Sequence, residues 1–333
     1  MASRVYALLG VAQHAAAVQA RRAGGVSDND RPTRDARVGA VVAASAEILA
    51  YTFPNALTRI RLGEQADAAP FTGKGNQPKF FEAGREIGRG VAARVLADAK
   101  ADGSGGQWTG TAPTGPGYWS GPSPARPYWG TVRPWLLRSG DQFRPAAPPA
   151  FGSPAFAEQL AEVRRIADTR TKAQLDVAVF WADGAGTATP PGHWNEIASS
   201  LIEKYRLDED VATQVFALLG MAQMDAGIAC WDAKYAYWLI RPWQADPAIT
   251  TPIGQPNHPS YPSGHATYSG AAATVLSAFF PAERDRLTAM ADESSMSRLY
   301  GGIHYRIDAD AGLEVGRKIG ALATQRFLTT ASR

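Results

Sequence analysis

Residues 209–242 read EDVATQVFALLGMAQMDAGIACWDAKYAYWLIRP. Apolar residues recur through this stretch at three- and four-residue spacing, which predicts one long helix over 209–240. Pro242 ends it, because proline has no amide donor and disfavours the helical conformation in the residue before it. Lys234 and Arg241 stand seven residues apart, two helical turns, and are expected on one helix face. The residues between them are Tyr, Ala, Tyr, Trp, Leu and Ile, which do not make a solvated surface. Cations in so apolar a setting need an anion to meet.

The pattern has an earlier counterpart. VYALLGVAQHAAAVQA at 5–20 aligns with VFALLGMAQMDAGIAC at 215–230. AEILAYTFP at 46–54 matches TVLSAFFP, which ends at Pro281, and AGREIGRG at 83–90 matches AGLEVGRK at 311–318. The order is shared and the offset nearly constant, which predicts an all-α chain of tandem helix bundles, packed side by side, from an internal duplication. The alternative is that alanine-rich helices look alike. Further helices are expected at 3–22, 36–52, 81–100, 155–168, 195–204, 265–280, 283–300 and 309–330. Between them, 103–154 is dense in Gly, Pro, Trp and Ser and reads as a long ordered loop with aromatic anchors. The expected organisation is one domain over 1–333. Residues 1–102 form a structural first bundle, 103–154 a connection, and 155–333 a second bundle that carries the chemistry.

The chain has 333 residues, 45% hydrophobic and 20% charged, which is ordinary globular composition. A net charge of +3 is too small to argue for nucleic acid or an anionic membrane surface. Cys230 is the only cysteine, so no intrachain disulfide can form. The N-terminus lacks the layout of a signal peptide, and no run reaches about 18 uninterrupted apolar residues, so no membrane span is expected.

Two more motifs follow Lys234 and Arg241. In Pro262-Ser263-Gly264-His265 a serine N-cap and a glycine open a helix, whose first amides point outward and suit an oxyanion. Taken alone this is also a plain capped helix start. In Ser297-Arg298-LYGGI-His304-YRI-Asp308 the histidine and aspartate are four apart, so the carboxylate can hold one imidazole nitrogen and leave the other as ligand or nucleophile. Two arginines, a lysine and helix-end amides suit a tetrahedral oxyanion of two or three charges, and two histidines in different settings separate a nucleophile from a proton donor. His14 and His193 stand in no motif and read as ordinary polar contacts.

The pattern K-x6-RP, PSGH, SR-x5-H-x3-D resembles the signature of the vanadium haloperoxidase and type 2 phosphatidic-acid phosphatase (PAP2) superfamily, with every position present. DAGIACWDAKYAYWLIRP at 225–242, with Trp231 before the lysine, looks like the corresponding helix of fungal vanadium chloroperoxidases. FWADGAGTATPPGHWNEIA at 180–198 resembles a further segment of theirs, in which Asp183 would pair with Arg298. The whole is most similar to the soluble bacterial members. Such members often begin further upstream, are periplasmic or secreted, and form homodimers.

For a haloperoxidase the resemblance implies vanadate as cofactor, with His304 as axial ligand to vanadium. Lys234, Arg241, Ser263, Gly264, His265 and Arg298 would hold the oxyanion, and His265 would move protons for bound peroxide. Hydrogen peroxide and halide would be the substrates, with small organic acceptors beyond them. Asp308 would orient His304. For a phosphatase it implies phosphate in the same site, phosphoesters as substrates, a phosphohistidine at His304 and protonation of the leaving alcohol by His265. His258 stands where chloroperoxidases carry Phe and algal bromoperoxidases His, which favours bromide or iodide; alternatively it only packs the proline-rich turn. Trp231 would wall the pocket against bulky phosphoesters. A third reading is a non-catalytic oxyanion-binding helical protein, which needs no histidine on the turn and no second one oriented by Asp308.

Overall fold

In a computed structural model, which describes residues 1–24, 30–72 and 78–331, the chain folds as helices joined by loops. In order these are α1 Ala2–Gly24, α2 Arg31–Thr52, α3 Leu57–Thr72, α4 Pro78–Lys100, α5 Pro154–Thr169, α6 Lys172–Phe180, α7 Thr189–Tyr205, α8 Glu209–Tyr237, α9 Pro242–Ala245, α10 Gly264–Phe279, α11 Arg284–Tyr300 and α12 Arg306–Ala331. The all-α expectation holds, and no strand occurs among the described residues.

Local chemistry sets the helix starts. Asp30 caps α2 by accepting from the Thr33 amide, Ser153 caps α5 from Phe156, and Thr171 with Gln174 forms a capping box on α6. Three helices were not predicted. α3 buries only Glu64 and Ala68, so it has no apolar stripe to read, and it holds Pro70. α6 buries only Ala178, and α9 is four residues long.

The paired segments share local geometry. α2 ends at Phe53 (φ −125°, ψ 66°) and α10 at Phe280 (φ −125°, ψ 69°), and each is followed by a proline-led 3-10 turn into the next helix. The glycines of the paired AG-R/L-E-I/V-G motifs also match. A Cβ at Gly88 would run into the Ala40 carbonyl of α2, and one at Gly316 into the Thr267 carbonyl of α10. Only glycine lets α4 lie so close on α2, and α12 on α10.

The chain divides into two compact units. The first holds Met1–Asp102 with Ala198–Met221, so it takes a stretch that the sequence reading placed in the second bundle. Within it Arg37 pairs with Asp210 at 2.8 Å and Arg4 with Asp102 at 2.7 Å. The second holds Gly103–Ile197 with Ala222–Arg333, and every candidate site residue lies there.

Helix α8 ends at Tyr237, short of the expected 240. Trp238 turns left-handed (φ 53°), and its carbonyl accepts from the Trp119 amide at 2.7 Å, while Ile240 donates to Gly117 at 2.9 Å. The loop at 103–154 has thus taken over the bonds of a further helical turn. Arg241 stands outside the helix, so it and Lys234 do not share a helix face. α8 is long and apolar enough to cross a membrane by length and composition alone, but 72% of its most apolar window is buried. Asp225 within it is fully buried and accepts from the amides of Trp135, Leu136 and Leu137 at 2.7–2.9 Å. The 103–154 loop is fastened there, and its Trp119 and Trp129 are buried.

Candidate active site

Lys234, Arg241 and Arg298 are almost completely buried, and all three sit in one site. The Lys234 ammonium gives its three hydrogens to the carbonyls of Pro259, Ser260 and Pro262, at 2.8, 2.7 and 2.6 Å. It thereby fastens the turn that presents Ser263 and Gly264. Burial pulls its pKa down to about 7. Arg241 spreads its fork over several acceptors. Nε meets the His258 carbonyl at 2.9 Å, one terminal nitrogen meets the Ile303 carbonyl at 2.6 Å and His304 Nε2 at 3.1 Å, and the other meets His258 Nδ1 at 3.0 Å. Arg298, in the last turn of α11, donates to Ser297 Oγ and to the Ala178 carbonyl, both at 2.8 Å. Burial lowers both guanidinium pKa values to about 10. Three buried cations face one fully buried carboxylate, Asp308, with Asp183 near Arg298, which leaves the site short of negative charge.

His304 precedes α12 and Asp308 lies in its first turn. The imidazole Nδ1 is 2.8 Å from Asp308 Oδ2, which also accepts from Ser260 Oγ at 2.5 Å and the Tyr305 amide at 3.0 Å. An ionised carboxylate cannot donate and a guanidinium cannot accept. The His304 proton is therefore on Nδ1, and the lone pair on Nε2 faces the cations. Burial, then Arg241 and Lys234, depress the His304 pKa, while burial raises Asp308 to about 6.

Ser263 caps α10 by accepting from the Ala266 amide at 3.4 Å, which leaves its hydroxyl proton to donate. A Cβ at Gly264 would rest 3.7 Å from the Trp231 ring and 4.0 Å from Cys230 Sγ, ordinary contacts. Protein packing thus does not require glycine there; close approach of a ligand to the backbone does. His265 follows, with Nε2 buried and unpartnered, and its pKa is lowered by burial and then by Arg298. Trp231 donates to the Ala125 carbonyl at 3.0 Å and sets its ring 5.0 Å from that of His258. His258 Nδ1 lies 3.0 Å from the Arg241 guanidinium, from which it accepts, and 3.3 Å from the Pro259 carbonyl. It is joined to the site rather than merely packed on the turn.

The fit to a tetrahedral oxyanion rests on these observations: excess buried positive charge, an orphaned His265 nitrogen and room above Gly264. No cluster of three or more His, Cys, Asp or Glu suited to a metal cation occurs among the described residues. One expected contact is corrected. Asp183 bonds His193, at 3.2 and 3.3 Å, and acts on Arg298 only through space. Arg298 has turned to Ser297 and Ala178 instead. Sequence reasoning also missed Ser260, Ile303 and Asp225. A carboxylate in an apolar helix was a usable sign for Asp225; nothing marked the other two.

A family model described as the PAP2 superfamily matches residues 213–330. The vanadium chloroperoxidase of Curvularia inaequalis is 29% identical over 142 residues, 33% of this chain and 23% of that protein. The non-specific acid phosphatase of Providencia stuartii is 34% identical over 125 residues, 36% of this chain and 50% of that protein. The chain thus matches half or less of the length of these curated relatives. A crystal structure of a bacterial vanadium-dependent iodoperoxidase aligns with a TM-score of 0.81 and 26% identity, covering 97% of this chain and 90% of that one. With the full motif set assembled in one buried cationic site, residues 213–330 form a PAP2 superfamily domain, and the chain has the fold of the vanadium-dependent haloperoxidases.

Proposed function

We propose that this chain is a vanadate-dependent haloperoxidase that oxidises halide, bromide or iodide first, with hydrogen peroxide. The observation that carries the reading is the likeness to the iodoperoxidase over nearly the whole of both chains. In sequence alone the two readings are matched over similar lengths, the acid phosphatase over 36% of this chain and the vanadium chloroperoxidase over 33%. His304 Nε2 would be the one protein ligand, kept unprotonated by the Asp308 bond on Nδ1. Arg241, Arg298 and Lys234 would balance the charge on the oxyanion, and Ser263 Oγ and the Gly264 amide would meet its oxygens. Vanadate, when bound, supplies a Lewis acid that makes peroxide electrophilic toward halide with no change of its own oxidation state. His265, kept neutral by its lowered pKa, would take a proton from the incoming peroxide at Nε2 and return it to the oxygen that leaves as water. Halide would receive the other oxygen and depart as hypohalite, which takes up a proton from solvent to become hypohalous acid.

A phosphatase is the second reading, favoured by the 34% identity to the acid phosphatase. The same cradle would hold phosphate, His304 Nε2 would attack phosphorus, and His265 would protonate the leaving alcohol. One preparation separates the two. Metal-free protein is split; one half is loaded with orthovanadate and assayed for bromination of a dye, and the other is assayed on p-nitrophenyl phosphate. Vanadate-dependent bromination with feeble hydrolysis supports the first reading. Fast hydrolysis that vanadate inhibits, without bromination, overturns it in favour of the second. His304→Ala should remove either activity.

A further inference from the structure

His265 is held from one side. Its Nε2 has no partner, while the backbone of Trp181 and Ala182 favours the protonated ring against burial, so Nδ1 is the nitrogen turned toward those carbonyls. A carbonyl only accepts, so the proton sits on Nδ1 and the lone pair on Nε2. This assignment holds only while residues 181 and 182 stay in place, and they lie in the irregular stretch between α6 and α7.

His193, near the start of α7, grips that stretch on both sides of Ala182. Its ring stacks on the Trp181 indole, with centroids 4.5 Å apart and planes at 21°. Its Nδ1 lies 3.2 Å from the Asp183 carboxylate. Asp183 adopts φ 42°, a left-handed conformation that a non-glycine residue keeps only under outside constraint. The grip is anchored in turn. Trp194 donates to Ser269 of α10 at 2.9 Å, four residues beyond His265, and Trp181 Nε1 donates to Glu293 of α11 at 2.9 Å.

We propose that His193 is a positioning residue: through its bond to Asp183, with the stack on Trp181 as a lesser support, it fixes the tautomer and aim of His265. The proposal rests on the reading of His265 as the proton carrier, but it can be tested without turnover. His193→Phe keeps the stack and loses the hydrogen bond; His193→Asn keeps an N–H donor and loses most of the stack.

The full chain, labelled with ¹⁵N-histidine and saturated with inorganic phosphate, would be followed by NMR, with His265→Gln assigning the signals. Wild type should show His265 as one neutral tautomer, protonated at Nδ1. His193→Phe should show a tautomer mixture, and His193→Asn the wild-type pattern. Phosphate affinity by calorimetry should stay within about threefold in both, because the cationic cradle is untouched. In vanadate-loaded protein the kcat for bromide should fall about 10-fold or more in His193→Phe, with KM nearly constant, and recover in His193→Asn. A wild-type His265 spectrum in His193→Phe overturns the proposal, as does equal disturbance in His193→Asn. If His193→Phe does not fold, Asp183→Asn replaces it under the same criteria. A wild-type chain that does not brominate defeats the haloperoxidase reading and leaves the NMR result to decide the role of His193.

Discussion

Arg241 directs a terminal guanidinium nitrogen at Nε2 of His304 over 3.1 Å, the nitrogen opposite the one that Asp308 holds. Two partners that can each play only one role, a donor and an acceptor, fix the imidazole as a neutral ring with its lone pair toward the cations.

Asp308→Asn keeps the shape of this arrangement and removes its charge. The amide oxygen can still accept from Nδ1 of His304, Ser260 and the Tyr305 amide, so the fold should persist. His304 loses the charge that makes Nε2 a strong ligand or nucleophile, and the turnover number should fall on the order of 10²-fold or more. Steady-state assays together with denaturant unfolding check this; near-normal turnover in a folded protein would remove Asp308 from the chemistry.

His258 ties the halide question to Arg241. Its Nδ1 takes a hydrogen bond from the guanidinium at 3.0 Å while its ring lies beside Trp231. In His258→Phe the ring contact survives and the arginine loses that acceptor. The expected result is a higher ratio of chloride to bromide oxidation in vanadate-loaded protein, with the phosphate affinity little changed. An unaltered ratio would show that His258 has no part in the choice of halide.

Most of the site was legible because its residues are costly where they stand. A buried lysine or arginine in an apolar sequence has few explanations, and Lys234, Arg241 and Arg298 are all buried in the unit that holds Ser263, His265 and His304. What was not legible depends on backbone that no side-chain pattern encodes. The helix through Lys234 stops at Tyr237 because the 103–154 loop supplies the bonds of another turn, and proline at 242 placed the end too late. Asp183 turned to His193 because residues 181–183 follow α6, a helix too short and too exposed to announce itself. Helix α3 was missed for the same reason, since only Glu64 and Ala68 face inward.

Lys234 should report anion binding as a proton. Burial lowers its pKa to about 7, so at pH 8 much of the free protein has lost that proton and with it one of the three bonds to the Pro259, Ser260 and Pro262 carbonyls. A dianion beside it favours the charged form, raises the pKa and draws a proton from buffer. Sulfate is the clean probe, because it does not itself titrate there. Calorimetry in two buffers of different ionisation enthalpy should show uptake of up to about one proton at pH 8 and less at pH 6, where the lysine is already charged. Lys234→Arg should bind sulfate without the uptake. Uptake that persists in Lys234→Arg would assign the proton to another group.

Asp225 should matter for stability rather than chemistry. Its buried carboxylate accepts three consecutive loop amides, at 2.8, 2.7 and 2.9 Å. Asp225→Ala leaves those donors buried without a partner, each costing about 1–3 kcal/mol. The midpoint of denaturant unfolding should drop sharply, with a total loss of about 3 kcal/mol or more if the loop cannot rearrange. A change under about 1 kcal/mol would mean that the loop finds other acceptors or water.

Gly264 separates the needs of the fold from those of the ligand. It opens α10, where alanine is a better helix former, and the added Cβ would meet only the Trp231 ring at 3.7 Å and Cys230 Sγ at 4.0 Å. Gly264→Ala should therefore unfold within about 0.5 kcal/mol of wild type. The same methyl group would stand where a tetrahedral anion must approach the first amides of the helix, so affinity for phosphate or vanadate should fall about 10-fold or more. Thermal melting and calorimetry on one preparation check both halves. Unchanged anion affinity would mean that the oxyanion does not rest on the α10 amides, and the cradle would then reduce to Arg241, Arg298 and His304. A large loss of stability with unchanged affinity would make Gly264 a packing residue after all.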